Sequence, residues 1–396
     1  PRRCCGAGGL ASPRPPAPAE STRREWLALS LAAAGAPTRV AAAATEPLDA
    51  ATRAFEVLPD ASPALAPSLR EVRPSDAVTA LGSARAVFLG EHHDAAADHA
   101  VQAALIRGLA AKRRGPLAVG LEAVQRRFQP ALDAYARGDA SLATLRDAVE
   151  WDTRWVWPFE RYVPAFEAAK EVGASLVAMN VDSEDFERVQ RAGLSALSKE
   201  AFESYVGDAE NFAAFAKTPA FRAYVRYVIE PSFEAHQQLG LLSDDDDDDD
   251  SASGAPLSIQ RFLGGRLLWD GSMAHAAATW CAAHPRGQFV GLIGADHVKF
   301  GCGVPGRCAH ELGVPRARVP GVLLNPSPRD TAREIVQTVA SEPAASYVLQ
   351  LRFADAADRA GLAAARDARQ TDAAAPTVLP LADFLWLGDA ASSFSD

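Results

Sequence analysis

Cysteine and methionine are scarce in this 396-residue chain, which has five of the first and two of the second. Cys4 and Cys5 fall in the leading segment. Cys281, Cys302 and Cys308 form no Cys-x-x-Cys spacing, which argues against a zinc knuckle or a thioredoxin-like centre. Cys302 and Cys308 flank a Gly/Pro turn and are expected to be able to pair in an oxidising compartment. No Gly-x-Ser-x-Gly turn occurs, so serine-hydrolase chemistry is not expected. Basic residues interleaved with aromatics are missing too, which sets nucleic acid aside as a partner. The apolar stretch at residues 28–36 is too short for a permanent membrane anchor. Apart from one short motif discussed below, there is no internal repeat.

What remains is the composition of an ordinary globular protein, 48% hydrophobic and 23% charged, long enough for one large domain or two. Of the formal charge of −10, seven units come from the aspartate run at residues 244–250. This run lies in an acidic loop (243–255), and it reads as a solvated surface loop, since calcium needs ligands spaced around a turn. Residues 1–44 read as a targeting segment. The first twenty are rich in Arg, Pro, Ala and Gly, and residues are expected to precede Pro1. Then follow the pair Arg23-Arg24, the apolar stretch and a small-residue tract ending near Ala44, in the order of a twin-arginine export signal. A transit-like stretch ahead of such a signal points to the thylakoid lumen of a chloroplast, with a bacterial periplasm as the alternative.

Residues 45–80 look like a loose lead-in. From there to about 355, short apolar runs alternate with helical patterns, which predicts an α/β domain: a mainly parallel central sheet flanked by helices. Strands are expected at 84–89, 117–121, 175–179, 288–293, 321–324 and 347–353. Residues 184–242 show helical patterning throughout and form an all-α insertion, and a long amphipathic helix covers about 259–280. Residues 356–396 are read as a C-terminal extension.

The chemistry concentrates where strands end. The first of these strands runs into Gly90-Glu91-His92-His93-Asp94, the second into Glu122, the third into Asn180, and a later one into Gly294-Ala-Asp-His297. Open α/β sheets bind ligands outside the carboxyl ends of their strands. Glu91, His93, Glu122 and His297 are therefore taken as one shared candidate site. Two imidazoles and two carboxylates can ligate a divalent transition metal with open positions for water, or act without metal as a general base and its orienting partner. The bland reading of either histidine alone is a hydrogen-bonded residue tying two loops together. His92 is expected to point elsewhere. Asp270 lies one helical turn after Arg266, so an ion pair accounts for it, and Arg307 is read as a loop residue able to meet an anion. His99, His236, His275, His284 and His310 are assigned no role, and Trp151, Trp155 and Trp157 are assigned to the core.

Beyond the two Gly-x-x-His segments and Glu122, three further stretches occur in order: Tyr162-Val-Pro-Ala-Phe-Glu followed by Leu176-Val-Ala-Met-Asn180, Trp269-Asp270-Gly-Ser-Met273-Ala, and Gly303-Val-Pro305 behind His297. Together, from about residue 84 to 310, the chain resembles the ChaN-like haem-binding branch of the superfamily that includes Tiki, TraB and the erythromycin esterases. The resemblance implies haem or another tetrapyrrole as cofactor, contacted by His93, His297, Asn180, Asp270 and Arg307, and a possible homodimer around this small-molecule ligand. Proteins of this type use a tyrosine as iron ligand. The motifs assign none of the six tyrosines to that role, which leaves His93 or His297 to replace it. The superfamily's other branches imply the alternative: an esterase- or peptidase-like hydrolase, metal-dependent or Glu/His-dependent, using Glu91, His93, Glu122 and His297.

Overall fold

The computed structural model of the chain describes Leu48 and residues 52–58, 68–113, 115–238, 258–326, 330, 350–352 and 378–388. The expected targeting segment and the aspartate run at 244–250 lie outside the described residues.

Strands β1 (Thr52–Leu58) and β2 (Ser68–Val72) form an antiparallel ribbon, followed by helix α1 (Pro74–Leu81). Then come β3 (Ala86–Glu91), α2 (Ala96–Lys112), β4 (Leu117–Gln125), α3 (Phe159–Glu171) and β5 (Ser175–Asn180). Helices at Gln129–Arg137 and Leu142–Ala148 come between β4 and α3 in the chain, and the first of them packs against β5. The insertion is all-helical where described, from Ser183–Ala192 to Glu230–Gln238. After it come α4 (Ile259–Ala283), β6 (Gln288–Gly294), α5 (Val304–Leu312), β7 (Gly321–Leu324), β8 (Gln350–Arg352), β9 (Val378–Pro380) and β10 (Phe384–Gly388).

Eight of these strands build one sheet in the order β2-β1-β10-β7-β3-β6-β4-β5, parallel from β10 to β5, with β1 antiparallel to both β10 and β2. The fold is thus the α/β arrangement expected. Every residue of β3, β4 and β6 is buried. This is why the three read as continuous apolar runs: a parallel strand is covered on both faces. Alternation sends Val87, Leu89, Val119, Leu121, Val290 and Leu292 into the core beneath α2 and α3. Ala86, Phe88, Ala118, Phe289 and Ile293 face the core beneath α4 and α5.

Three expectations change. The lead-in is not loose: β1 and β2 lie in it, and they extend the sheet. The described part of the run at 347–353 does not complete the sheet, because Gln350–Arg352 pairs, among the described residues, with Val378–Pro380 in a separate two-stranded ribbon. The closing strand is instead β10, from the segment read as an extension; it sits between β1 and β7. Finally, Cys302 and Cys308 do not pair. Both are free and buried, and each faces a different core: Cys308 packs with Phe289 and Val304, Cys302 with Phe300 and Leu323.

Candidate functional site

The carboxyl ends of β3, β4 and β6 lie side by side, so the polar residues that follow them gather at one edge of the sheet. Glu91 stands opposite Gly294 in the β3–β6 register. The period-2 alternation that sorts the core also sorts the carboxylates. Glu91 follows the face of Val87 and Leu89; Glu122 follows the face of Ala118, one residue out of phase with Leu121. Glu122 lies within β4 and not beyond its end, because the strand continues to Gln125 through a register shift.

His93 and His297 pass over the edge and meet at Gly294. A Cβ placed on Gly294 would stand 2.9 Å from His93 Nε2 and 3.5 Å from His297 Cδ2. Glu91, His93, Glu122 and His297 are all buried, each under 8% exposed. The structure therefore gathers all four sequence-predicted residues, in two arms.

In the first arm His93 Nδ1–H donates to Glu91 Oε1 over 2.8 Å, and the Tyr162 hydroxyl donates to the same oxygen over 2.9 Å. Trp155 Nε1–H in turn donates to the Tyr162 hydroxyl at 3.0 Å. Gln102 Nε2 donates to Glu91 Oε2, with His99 at 3.8 Å from that oxygen and bonded to the His93 carbonyl at 3.0 Å. The rings of Trp155 and Trp157 lie 5.2 and 4.2 Å from the His93 ring. Burial alone would raise the Glu91 carboxyl, but the His99 and His93 imidazoles outweigh it and bring it to about 2. Burial opposes a charge on His93, while Glu91 and Glu122 raise its pKa above the ordinary value. Burial next to Glu91 pushes the Tyr162 phenol well up, so it stays a donor.

In the second arm both imidazole nitrogens are engaged. His297 Nε2 is 3.1 Å from Glu122 Oε1, and Nδ1 is 2.5 Å from Asp270 Oδ1. Glu122 also accepts the Gly294 N–H at 2.5 Å. Arg266 Nε is 3.4 Å from Asp270 Oδ1, so the expected helical ion pair exists as part of a longer chain. Burial and Arg266 lower the His297 pKa, and Glu122 and Asp270 more than offset them, so it ends raised.

Other expectations are revised. His92 does point elsewhere, and its partners are specific: it lies 2.9 Å from Asp98 and 3.2 Å from Asp330, which overcome burial and raise it to about 10. Asn180 is buried, but its side-chain oxygen accepts the Val181 N–H at 2.8 Å, and no hydrogen bond joins it to the imidazoles among the described residues. Arg307 is not an exposed loop residue; it lies in α5 and is 4% exposed. Trp155 and Trp157 belong to the site as well as the core. The metal reading loses its basis: among the described residues no group of three or more His, Cys, Asp or Glu side chains could hold an ion. The carboxylates face imidazoles instead of converging on a common point. No described helix is long and apolar enough to cross a membrane.

Sequence reasoning missed His99, Gln102 and Tyr162. A signal was present, because His99 and Gln102 share the spacing of Ile106 and Leu109 on the buried face of α2, and Tyr162 that of Ala165, Phe166 and Ala169 on α3. A polar residue on an apolar helical face needs a partner inside.

Solved structures match the chain at low identity. A ChaN of Campylobacter jejuni, described for cofacial haem binding, is 15% identical, matches 68% of this chain and 91% of its own, and gives a TM-score of 0.44. The type III effector HopBA1 is 14% identical over 63% of this chain and 81% of its own, with a TM-score of 0.32. A Bacillus cereus protein is 13% identical over 86% and 95%, with a TM-score of 0.34. At such distances these likenesses assign no residue a role. No curated protein matches the chain. The family model described as haem-binding uptake, Tiki superfamily, ChaN matches residues 77–308. That span takes in β3 through most of α5 and every residue of both arms, and the chain belongs to this family.

Proposed function

We propose that this protein binds haem in the manner of its family, with His93 as the residue that would hold the iron. The observation that supports it is the division of labour on the His93 ring. Nδ1 is committed to Glu91, whereas Nε2 makes no hydrogen bond among the described residues and lies against Gly294. A histidine fixed through one nitrogen by a carboxylate offers the other as a ligand in a set orientation. Trp155 and Trp157 supply flat apolar walls beside it. His297 has no free nitrogen. Tyr162 is a proton donor to Glu91, the opposite of the phenolate an iron ligand requires. Haem would bring a redox-active iron to this edge of the sheet. The raised pKa of His93 means that a proton competes with iron for Nε2, so binding strengthens as pH rises.

The lumen of the thylakoid, reached through residues 1–44, is the compartment in this reading, and a pair of chains around the ligand its assembly. A second reading is carried by the same nitrogen. With Glu91 orienting it, His93 Nε2 is placed as a metal-free general base for ester or amide hydrolysis. The test is a haemin titration of the chain from about Thr45 onward, followed by absorbance. A saturable Soret shift lost in His93→Ala and kept in His297→Gln supports haem binding. No shift beyond that of a non-specific control protein removes it and leaves ester and amide substrates to be assayed.

A further inference from the structure

Beside the second arm, buried polar atoms lack partners in an unusual concentration. Of seven such side-chain atoms among the described residues, four belong to Trp269 (Nε1), Asp270 (Oδ2) and Arg307 (Nε and Nη2). Asp270 bonds to His297, and the Trp269 ring lies 5.9 Å from the His297 ring. Buried donors of this kind are ordinarily satisfied, and a charged one left bare is costly.

Charge counting leaves Arg307 without an ion pair, although Asp270 acts on it from a longer distance. Asp270 is shared by Arg266 and His297, and Glu122 is matched to His297. The Arg307 guanidinium has no carboxylate in contact. Its neighbours are the rings of Phe212, Phe215 and Phe221, at 4.6, 4.7 and 5.1 Å. Burial brings its pKa down to about 10. Cation–π contacts hold the flat faces and leave the N–H edge unserved. The two bare donors, Nε–H and Nη2–H, are the parallel pair along one edge of the guanidinium, the pair that grips a carboxylate through two hydrogen bonds. Arg307 also lines a cavity of about 20 Å³ with Phe212, Phe215 and Gly271 and with the polar side chains of Asn211, His310 and Glu311, the last of which is held by His275 at 2.5 Å. That cavity exists because residue 271 is glycine; a Cβ there would stand 2.8 Å from Phe212.

We propose that Arg307 and its phenylalanine cage form a recognition site for a carboxylate group of a small molecule. The paired Nε–H and Nη2–H donors fit a carboxylate better than a phosphate, whose additional oxygens would stay unpaired. The site stands apart from iron ligation by His93. Its carboxylate comes either from a tetrapyrrole side chain or from a separate small acid.

The full chain is tested in two ways. In thermal unfolding at matched ionic strength, propionate is expected to raise the melting temperature relative to chloride. Arg307→Met is expected to fold with equal or greater stability, since an unpaired buried charge is gone, and to lose the propionate shift. Arg307→Lys, charged but without the fork, is expected to lose most of it. A shift reproduced by chloride, or kept in Arg307→Met, overturns the proposal, the donors then being served by solvent. The second measurement names the source. Haemin binding about tenfold tighter than its dimethyl ester, with the gap closed in Arg307→Met, assigns the carboxylate to a tetrapyrrole. If haemin and the ester bind alike, or neither binds, while the propionate shift persists, the site stands with another acid as its ligand; in the latter case haem binding alone fails.

Discussion

The two histidines at the sheet edge arrive in the same way, each three residues after a glycine in the last two positions of a buried strand, and they end in different electrostatic positions. His297 is held between Glu122 and Asp270 with both nitrogens spent. His93 has one carboxylate partner, and a tyrosine and a glutamine share the task of holding that carboxylate. The first arrangement is a closed chain in which the imidazole joins two buried acids, with Arg266 beyond Asp270. The second is an oriented imidazole with a nitrogen to spare. Recurrence of a motif in sequence is thus no measure of equivalence in role. What separates the arms is the number of carboxylates the surrounding elements bring to each ring.

The sharpest way to break this comparison is to remove each imidazole. His297→Ala leaves Glu122 and Asp270 buried without the charge between them, and should cost about 3–5 kcal/mol of stability. His93→Ala leaves Glu91 its Tyr162 and Gln102 donors, so about 1–3 kcal/mol is expected. Urea unfolding of both variants checks the order. Equal losses would show that the arms are energetically alike.

Next in size is Gly294→Ala. The backbone there (φ −61°, ψ 147°) suits alanine, so the substitution tests space alone. The new Cβ would press on His93 Nε2, whereas His297 Cδ2 lies at ordinary contact distance. Stability should fall by about 1–3 kcal/mol, the usual cost of overpacking. Haemin affinity should fall with it if Nε2 is the ligand atom, and an unchanged titration would separate His93 from binding.

Titration gives a third distinction. The folded-state pKa of Glu91 is about 2, below its unfolded value, so its contribution to stability is present above about pH 4.3 and is lost as pH falls toward 2. His92 is raised to about 10, so its contribution is complete below about pH 6.5 and is lost as pH rises through 10. Stability measured by urea unfolding should therefore hold between about pH 5 and 6.5 and decline on both sides. In the same experiments haemin binding should rise with pH, by at most about tenfold per unit while His93 is protonated. The opposite trend would argue against an imidazole ligand.

Sequence revealed the parallel centre of the fold because β3, β4 and β6 are buried on both faces and so carry unbroken apolar runs. The antiparallel edge stayed hidden for the converse reason. β1 mixes Arg53 and Glu56 with Ala54, Phe55 and Val57 without a period of two, and its ion pairs to Glu71 and Arg70 are spread across the ribbon, so neither strand looks apolar. β10 is short and follows a long stretch with no strand pattern. In the site, the residues attached to strand ends were legible, since glycine and the end of an apolar run mark the edge. Tyr162, Gln102 and His99 reach the same point from helices, where only their place on a buried face distinguishes them. Arg307 was misplaced because Gly303 and Pro305 suggested a loop; that proline instead opens α5.

The smallest expected effect separates ligand from scaffold within the first arm. Tyr162→Phe keeps the ring that packs on His99 and Trp151 and removes only the hydroxyl. Glu91 loses one of its donors and Trp155 Nε1–H loses its acceptor, a cost of about 1 kcal/mol. The imidazole and Gln102 still hold Glu91, so His93 keeps its orientation. The Soret band of the haemin-loaded chain should then keep its position, with affinity within about threefold of the parent, because the tyrosine acts on the carboxylate and not on the ligand. A shifted band, or loss of binding equal to that in His93→Ala, would transfer the iron from His93 to Tyr162 and reverse the assignment of roles within this arm.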